Sequence, residues 1–202
     1  MAITFGLYTD AALTLAYSGT TNLLHNTDLS DNPQDFQFWL GSIYDGHILQ
    51  TLISPGVNSI SLTPVDILPE WTAATAYTLG QSVEPTVGNG LRYECTTAGT
   101  SHASTQPTWP TTPIGTTVTD NTVVWTLVGA SHQTTEVKLA TTQVGLDAAV
   151  AGAPLTVGTS VLGGAANAYE FWMRVTNAVT NVSDNTTTPE IAVSITDVRE
   201  IY

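Results

Sequence analysis

The side chains of this chain best able to do chemistry are four histidines (His25, His47, His102 and His132), 17 acidic residues and a single cysteine, Cys95. The histidines lie far apart, without the i, i+4 or His-x-His spacing that brings two imidazoles onto one metal, and each reads as a surface-loop residue. Asp28, Asp31 and Asp35, with Asn32 between them, gather oxygens of the kind calcium takes. The Asp-x-Asp-x-Asp-Gly order of a calcium loop is absent, so the cluster reads as solvated turn chemistry, and neither a metal nor a cofactor is expected. Cys95 falls in the strand-like run Leu91-Arg92-Tyr93-Glu94-Cys95, where burial is the expectation. One cysteine leaves no room for an intramolecular disulfide framework or a multi-cysteine zinc site.

A glycoside hydrolase needs two carboxylates facing each other across a cleft. With 17 acidic residues some pair is always near, but none stands in a recognisable motif. There is no Gly-x-Ser-x-Gly elbow, no phosphate loop and no Cys-His signature, so the chain does not read as an enzyme. Four basic residues, Arg92, Lys138, Arg174 and Arg199, face the acidic ones, for a formal net charge of −13. Such a field repels phosphate backbones and anionic lipid, which argues against direct nucleic-acid or membrane-surface binding. It favours a solvated surface and could complement a basic partner. The opening MAITFGLYTD has neither a basic start nor an apolar core, and no apolar run approaches 18 residues. Synthesis in a cytoplasm without export is the expectation, and the patterns Asn181-Val182-Ser183 and Asn185-Thr186-Thr187 then read as chance products of a Thr- and Asn-rich loop.

The elements that must position these groups are strands. Lys, Arg and Glu are scarce while Thr and Val are abundant, and β-branched residues suit a pleated, half-buried surface. Short apolar or alternating runs recur at Ile3 to Tyr8, Leu13 to Tyr17, Asp35 to Ile43, Ile48 to Ile53, Asn58 to Leu62, Thr135 to Ala140, Leu155 to Val161, Tyr169 to Thr176 and Glu190 to Val198. Turn residues such as Ser54-Pro55-Gly56 and Gly163-Gly164 separate them. This spacing predicts an all-β antiparallel sandwich, with one short helix between Asp147 and Val150.

The composition shifts in the middle of the chain. From about Trp71 to Gly129 the sequence is rich in tryptophan and proline, opening with Trp71 and closing with Val123-Val124-Trp125-Thr126-Leu127. The flanks, about 70 residues each, would make marginal cores alone. The expected organisation is therefore one discontinuous sandwich, residues 1–68 and 131–202, with residues 69–130 inserted in a loop as a small aromatic-rich β module. A small β unit without disulfides must draw its core from large side chains, and Trp71, Tyr77, Tyr93 and Trp125 suit that role. Trp109, held between Pro107 and Pro110, is the best candidate for an exposed platform that stacks on a sugar.

The pattern Trp71, Thr75-Ala76-Tyr77, Gly80, Tyr93-Glu94-Cys95, Ala98-Gly99-Thr100-Ser101, Pro107-Thr108-Trp109-Pro110, Gly115 to Asp120 and Trp125 resembles a small β module that recurs in phage virion proteins. Its opening Trp-x5-Tyr-x2-Gly is also similar to that of chitin-binding carbohydrate modules, although Gln81 stands where that family has an aspartate. The resemblance implies Trp109, Trp71 and Tyr77 as glycan contacts. In the flanks, Phe5-Gly6-Leu7-Tyr8-Thr9-Asp10-Ala11-Ala12-Leu13, Gly152-Ala153-Pro154-Leu155 and Gly163-Gly164-Ala165-Ala166-Asn167-Ala168 resemble head or tail accessory proteins of tailed bacteriophages built on immunoglobulin-like sandwiches. Together these imply a virion protein made in the host cytoplasm. Its expected role is a capsid decoration or cement protein that binds the major capsid protein, forms a homo-oligomer and projects its module. The alternative is a tail or baseplate adhesin for cell-surface glycans.

Overall fold

The computed structural model describes residues 3–19, 32–176 and 190–202, and all of its regular elements are strands or single 3-10 turns. In the first part of the chain, β1 is Gly6–Tyr8, β2 Gln34–Gly41, β3 Ile48–Thr51 and β4 Ile60–Asp66. The middle holds β5 (Ala76–Tyr77), β6 (Ser82–Val83), β7 (Leu91–Thr97), β8 (Gly99–Thr100), β9 (Thr117–Asp120) and β10 (Val123–Ala130). The last part holds β11 (Val137–Ala140), β12 (Leu155–Gly158), β13 (Ser160–Leu162), β14 (Tyr169–Val175), β15 (Ile191–Ser194) and β16 (Val198–Ile201).

One layer is the antiparallel sheet β1-β2-β14-β11. Its inward residues alternate as period-2 pleating demands: Phe36, Phe38 and Leu40 on β2, Phe171 and Met173 on β14, Val137 and Leu139 on β11. The facing layer consists of two three-stranded sheets, β12-β4-β15 and β13-β3-β16. Only Thr159 separates β12 from β13, and only residues 195–197 separate β15 from β16. β3 and β4 pair with the two halves of each of these flanking chains. They are therefore two pieces of one central strand, interrupted by the excursion 52–59. Leu62, Leu155, Val157, Ile191 and Val193 from this layer pack on Phe38, Phe171 and Met173 from the other, and Leu49, Ile60 and Val161 pack on Leu40.

The strands from β5 to β10 pair only among themselves, as the sheet β6-β7-β10-β9 and the short pair β5-β8. β10 alternates cleanly, with Val123, Trp125 and Leu127 buried. They share a core with Trp71, Tyr77, Val83, Tyr93 and Cys95. Gly99 is required for close approach, because a Cβ there would lie 2.4 Å from the Thr122 carbonyl.

Several sequence expectations need correction. Leu13 to Tyr17 is not a strand: Asp10 accepts hydrogen bonds from the Thr14 and Leu15 amides, Leu13 adopts φ +57°, and only Ala16 bridges to Tyr8. A side chain that satisfies local amides competes with ladder formation. The helical turn expected between Asp147 and Val150 lies earlier, as a 3-10 turn at Val144–Asp147. The runs Leu155 to Val161 and Glu190 to Val198 each break into two strands.

Candidate functional site

Four of the five aromatic residues of the 69–130 segment form a continuous chain of ring contacts. Tyr77 meets Trp125 edge-on at 4.7 Å between ring centroids, Trp125 lies 5.9 Å from Trp109, and Trp109 lies 4.4 Å from Tyr93. Trp71 and Tyr77 are 6% and 8% exposed, so the rings of both belong to the core and offer no open face for a sugar. Trp109 is half-buried on the edge of the same cluster. Its indole N–H donates to Gln106 Oε1 at 3.0 Å, and the same oxygen accepts from the Thr86 amide at 3.2 Å. Trp71, Tyr77, Tyr93 and Trp125, the four rings the sequence assigns to the core, are the buried ones.

Asp120, 3% exposed, is the polar centre of this stack. One of its oxygens accepts the indole N–H of Trp71 at 2.7 Å and that of Trp125 at 3.3 Å, and the other accepts the His102 amide at 2.8 Å. Buried indoles need such a partner, and a carboxylate with several lone pairs can serve more than one. His102 itself is exposed, with Nδ1 accepting from the Ser104 and Thr105 amides.

Both chain connections to the 69–130 segment converge on Glu190. Ile67 donates its amide to the Glu190 carbonyl at 2.8 Å, and His132 donates its amide to Glu190 Oε2 at 2.6 Å. From β7, Arg92 Nε faces Glu190 Oε1 at 2.8 Å, as an ion pair rather than an aligned hydrogen bond, with both side chains 2% exposed. Glu84 sits nearby and its carboxyl is held above the usual range, first by burial and then by repulsion from Asp66, Glu70 and Glu190. Nothing in the sequence marks Arg92 and Glu190 as partners.

A second cluster ties the ends of the sandwich. Glu200 accepts from the Thr4 amide at 2.6 Å and the Thr4 hydroxyl at 2.5 Å, and it contacts His47 Nδ1. Burial raises the Glu200 carboxyl, but the bonds from Thr4 and His47 outweigh it and hold the group below the usual range. Ser42 bonds Thr4 and not the imidazole, so the arrangement lacks the hydroxyl-to-imidazole contact of a nucleophilic triad. The His47 ring is stacked between Tyr44 and Tyr202.

Asp35 is bound to Arg174, with contacts of 2.6 and 2.9 Å; Asp28, Asp31 and His25 lie outside the described residues, as do Asn181 and Asn185. His132 Nδ1 meets Glu136 at 2.8 Å. Among the described residues no group of three or more His, Cys, Asp or Glu side chains could hold a metal ion, and no helix is long and apolar enough to cross a membrane. Cys95 is buried, and burial raises its thiol above the ordinary value. Comparison with protein-family models, with curated proteins and with solved structures gave no match.

Proposed function

We propose that this chain is a virion structural protein of a tailed bacteriophage that decorates the head shell, docking through its immunoglobulin-like sandwich and carrying residues 69–130 as an inserted module. The carrying observation is the outer face of the layer built from β12-β4-β15 and β13-β3-β16. In a chain of net charge −13, the outward strand positions of that face hold no carboxylate. They are Ser61, Thr63 and Val65 on β4, Ala192 and Ser194 on β15, and Thr156 on β12. In the other half they are Ile48 and Gln50 on β3, Ser160 and Leu162 on β13, and Arg199 and Ile201 on β16.

The excursion 52–59 lies against this face, since a Cβ on Gly56 would be 3.4 Å from Gln50 Nε2. It presents Leu52, Ile53 and Val57 at 57%, 69% and 74% exposure. The loop is fixed by hydrogen bonds from Thr51 and Asn58 to the Ile53 carbonyl. Exposed apolar side chains beside strand positions that carry no carboxylate favour protein docking over solvation alone.

The major capsid protein is the proposed partner, and neighbouring copies of the chain the proposed lateral contacts. Purified virions should release the protein with the capsid shell in many copies when heads and tails are separated and weighed by mass spectrometry. A handful of copies confined to the tail tip would overturn the reading in favour of the glycan-binding adhesin.

The insertion has its own test. Because Ile67 and His132 both bond Glu190, the two ends of the segment lie side by side. Replacing residues 71–129 by a short Gly/Ser linker is expected to leave cooperative unfolding of the remainder intact. Loss of that transition would show that the flanks do not form a core without it.

A further inference from the structure

We infer that the outer face of the sheet β1-β2-β14-β11 is a binding platform for a neutral saccharide chain, built on Tyr8, Trp39 and Trp172. Of the five tryptophans, Trp71, Trp109 and Trp125 belong to the core of the 69–130 segment, whereas Trp39 and Trp172 belong to none of the hydrophobic clusters. Their strands explain why. Phe36, Phe38 and Leu40 of β2 point inward, as do Phe171 and Met173 of β14, so the alternate positions Gln37, Trp39, Glu170 and Trp172 point to the opposite face.

The register brings these side chains together. Tyr8 lies directly opposite Trp39, Trp39 opposite Glu170, and Trp172 opposite Gln37. Trp39 and Trp172 are then diagonal neighbours, about 7 to 8 Å apart at their backbones. All three residues are half-buried. Between them the polar groups are already oriented: Glu170 Oε1 accepts from Gln37 Nε2 at 2.8 Å and from the Trp172 indole at 3.1 Å. The platform has two ends. Leu13 packs over Gly41 beyond the Tyr8–Trp39 row, and on the other side Arg174 holds Asp35 and Asp147.

Aromatic faces interleaved with carboxylate and amide groups match a ligand with apolar faces and hydroxyl edges, which describes a pyranose ring. A nucleic-acid base also stacks on such rings, but it brings phosphates. On this face Arg174 is held by Asp35 and Asp147, and Lys138, opposite it on β11, is the second cation; with Glu170 the carboxylates still outnumber the cations, and the whole chain carries −13. The field therefore disfavours nucleic acid and anionic polysaccharide alike. An apolar protein partner would bury the ionised Glu170 with only Gln37 and the Trp172 indole to solvate it, a cost that sugar hydroxyls, which can donate to its remaining lone pairs, reduce. This face is the reverse of the one proposed to dock, so the inference stands or falls separately from the location of the protein in a virion.

The test titrates the intact chain with cellohexaose, chitohexaose and maltohexaose, and with polygalacturonate as a polyanion, following tryptophan fluorescence and heat. Saturable binding of at least one neutral hexasaccharide and none of polygalacturonate is expected. Trp39→Ala and Trp172→Ala should each weaken it by about tenfold or more, as loss of a stacking ring does, with the unfolding midpoint unchanged. Trp39→Phe, which keeps a ring and the strand, should retain binding within a few fold and serves if the alanine variant fails to fold. No binding of any neutral hexasaccharide overturns the inference. So does binding that survives in the Trp39→Ala/Trp172→Ala double variant, as it would if Trp109 held the sugar.

Discussion

Asp120→Ala is expected to destabilise the 69–130 segment by about 3 to 5 kcal/mol, the sum of several buried donors left without partners at about 1 to 3 kcal/mol each. The donors are the indoles of Trp71 and Trp125 and the amide of His102. All converge on a carboxylate that is 3% exposed, so water cannot replace it without opening the core. Asp120→Asn should lose about half as much, since its amide oxygen, turned to the Oδ2 position, still accepts both indoles while its NH2 group faces only the His102 amide. Denaturant unfolding followed by tryptophan fluorescence reads the effect directly, because Trp71, Trp109 and Trp125 all report on this core. A loss below about 1 kcal/mol for the alanine variant would show that the carboxylate is not the centre of the stack.

The second large effect is expected at the joint. Glu190→Ala removes the carboxylate facing Arg92, whose side chain is 2% exposed, and frees the His132 amide that bonds Oε2 at 2.6 Å. Breaking one side of a buried ion pair costs about 3 to 5 kcal/mol, largely because the remaining charge stays in a poorly solvated place. Arg92→Met should cost a similar amount, now by leaving Glu190 without that cation beside Glu84, whose carboxyl burial and then repulsion from Asp66, Glu70 and Glu190 already raise. The double variant Arg92→Met/Glu190→Met should recover most of the loss, because well-packed apolar residues can replace a buried pair. Calorimetric melting of the four proteins forms the cycle. Strict additivity of the two single losses would mean that the side chains do not interact.

The sequence by itself determined the class of fold and where the large aromatics concentrate. β-branched residues in short alternating runs, with glycine and proline between them, leave few alternatives to an antiparallel all-β chain, and the described residues fold as one. Runs such as Asp35 to Ile43 and Tyr169 to Thr176 located β2 and β14 because period-2 burial is a local property. The same locality explains what misled. Leu13 to Tyr17 has strand-like composition, but Asp10 captures its amides in a turn.

Orientation and partnership came only from the tertiary structure. Trp39 sits in the apolar run Phe36-Gln37-Phe38-Trp39-Leu40, and nothing there says which ring faces the core until pairing with β14 fixes the face. A tryptophan at an odd step among inward phenylalanines was the available signal, and only the register with Tyr8 and Glu170 gives it neighbours. Trp71 and Tyr77 fill a core, as their size in a small β unit led one to expect, and not the sugar-contact role that the resemblance implied for them, because such a unit must bury its largest side chains to exist at all. Arg92 and Glu190 lie 98 positions apart and in different sheets or their flanks, so their pairing depends on how β7 is brought against the start of β15. Side-chain chemistry and period are written along the chain, whereas the face a side chain takes and the charge it meets depend on strand register and on contacts between residues distant in sequence.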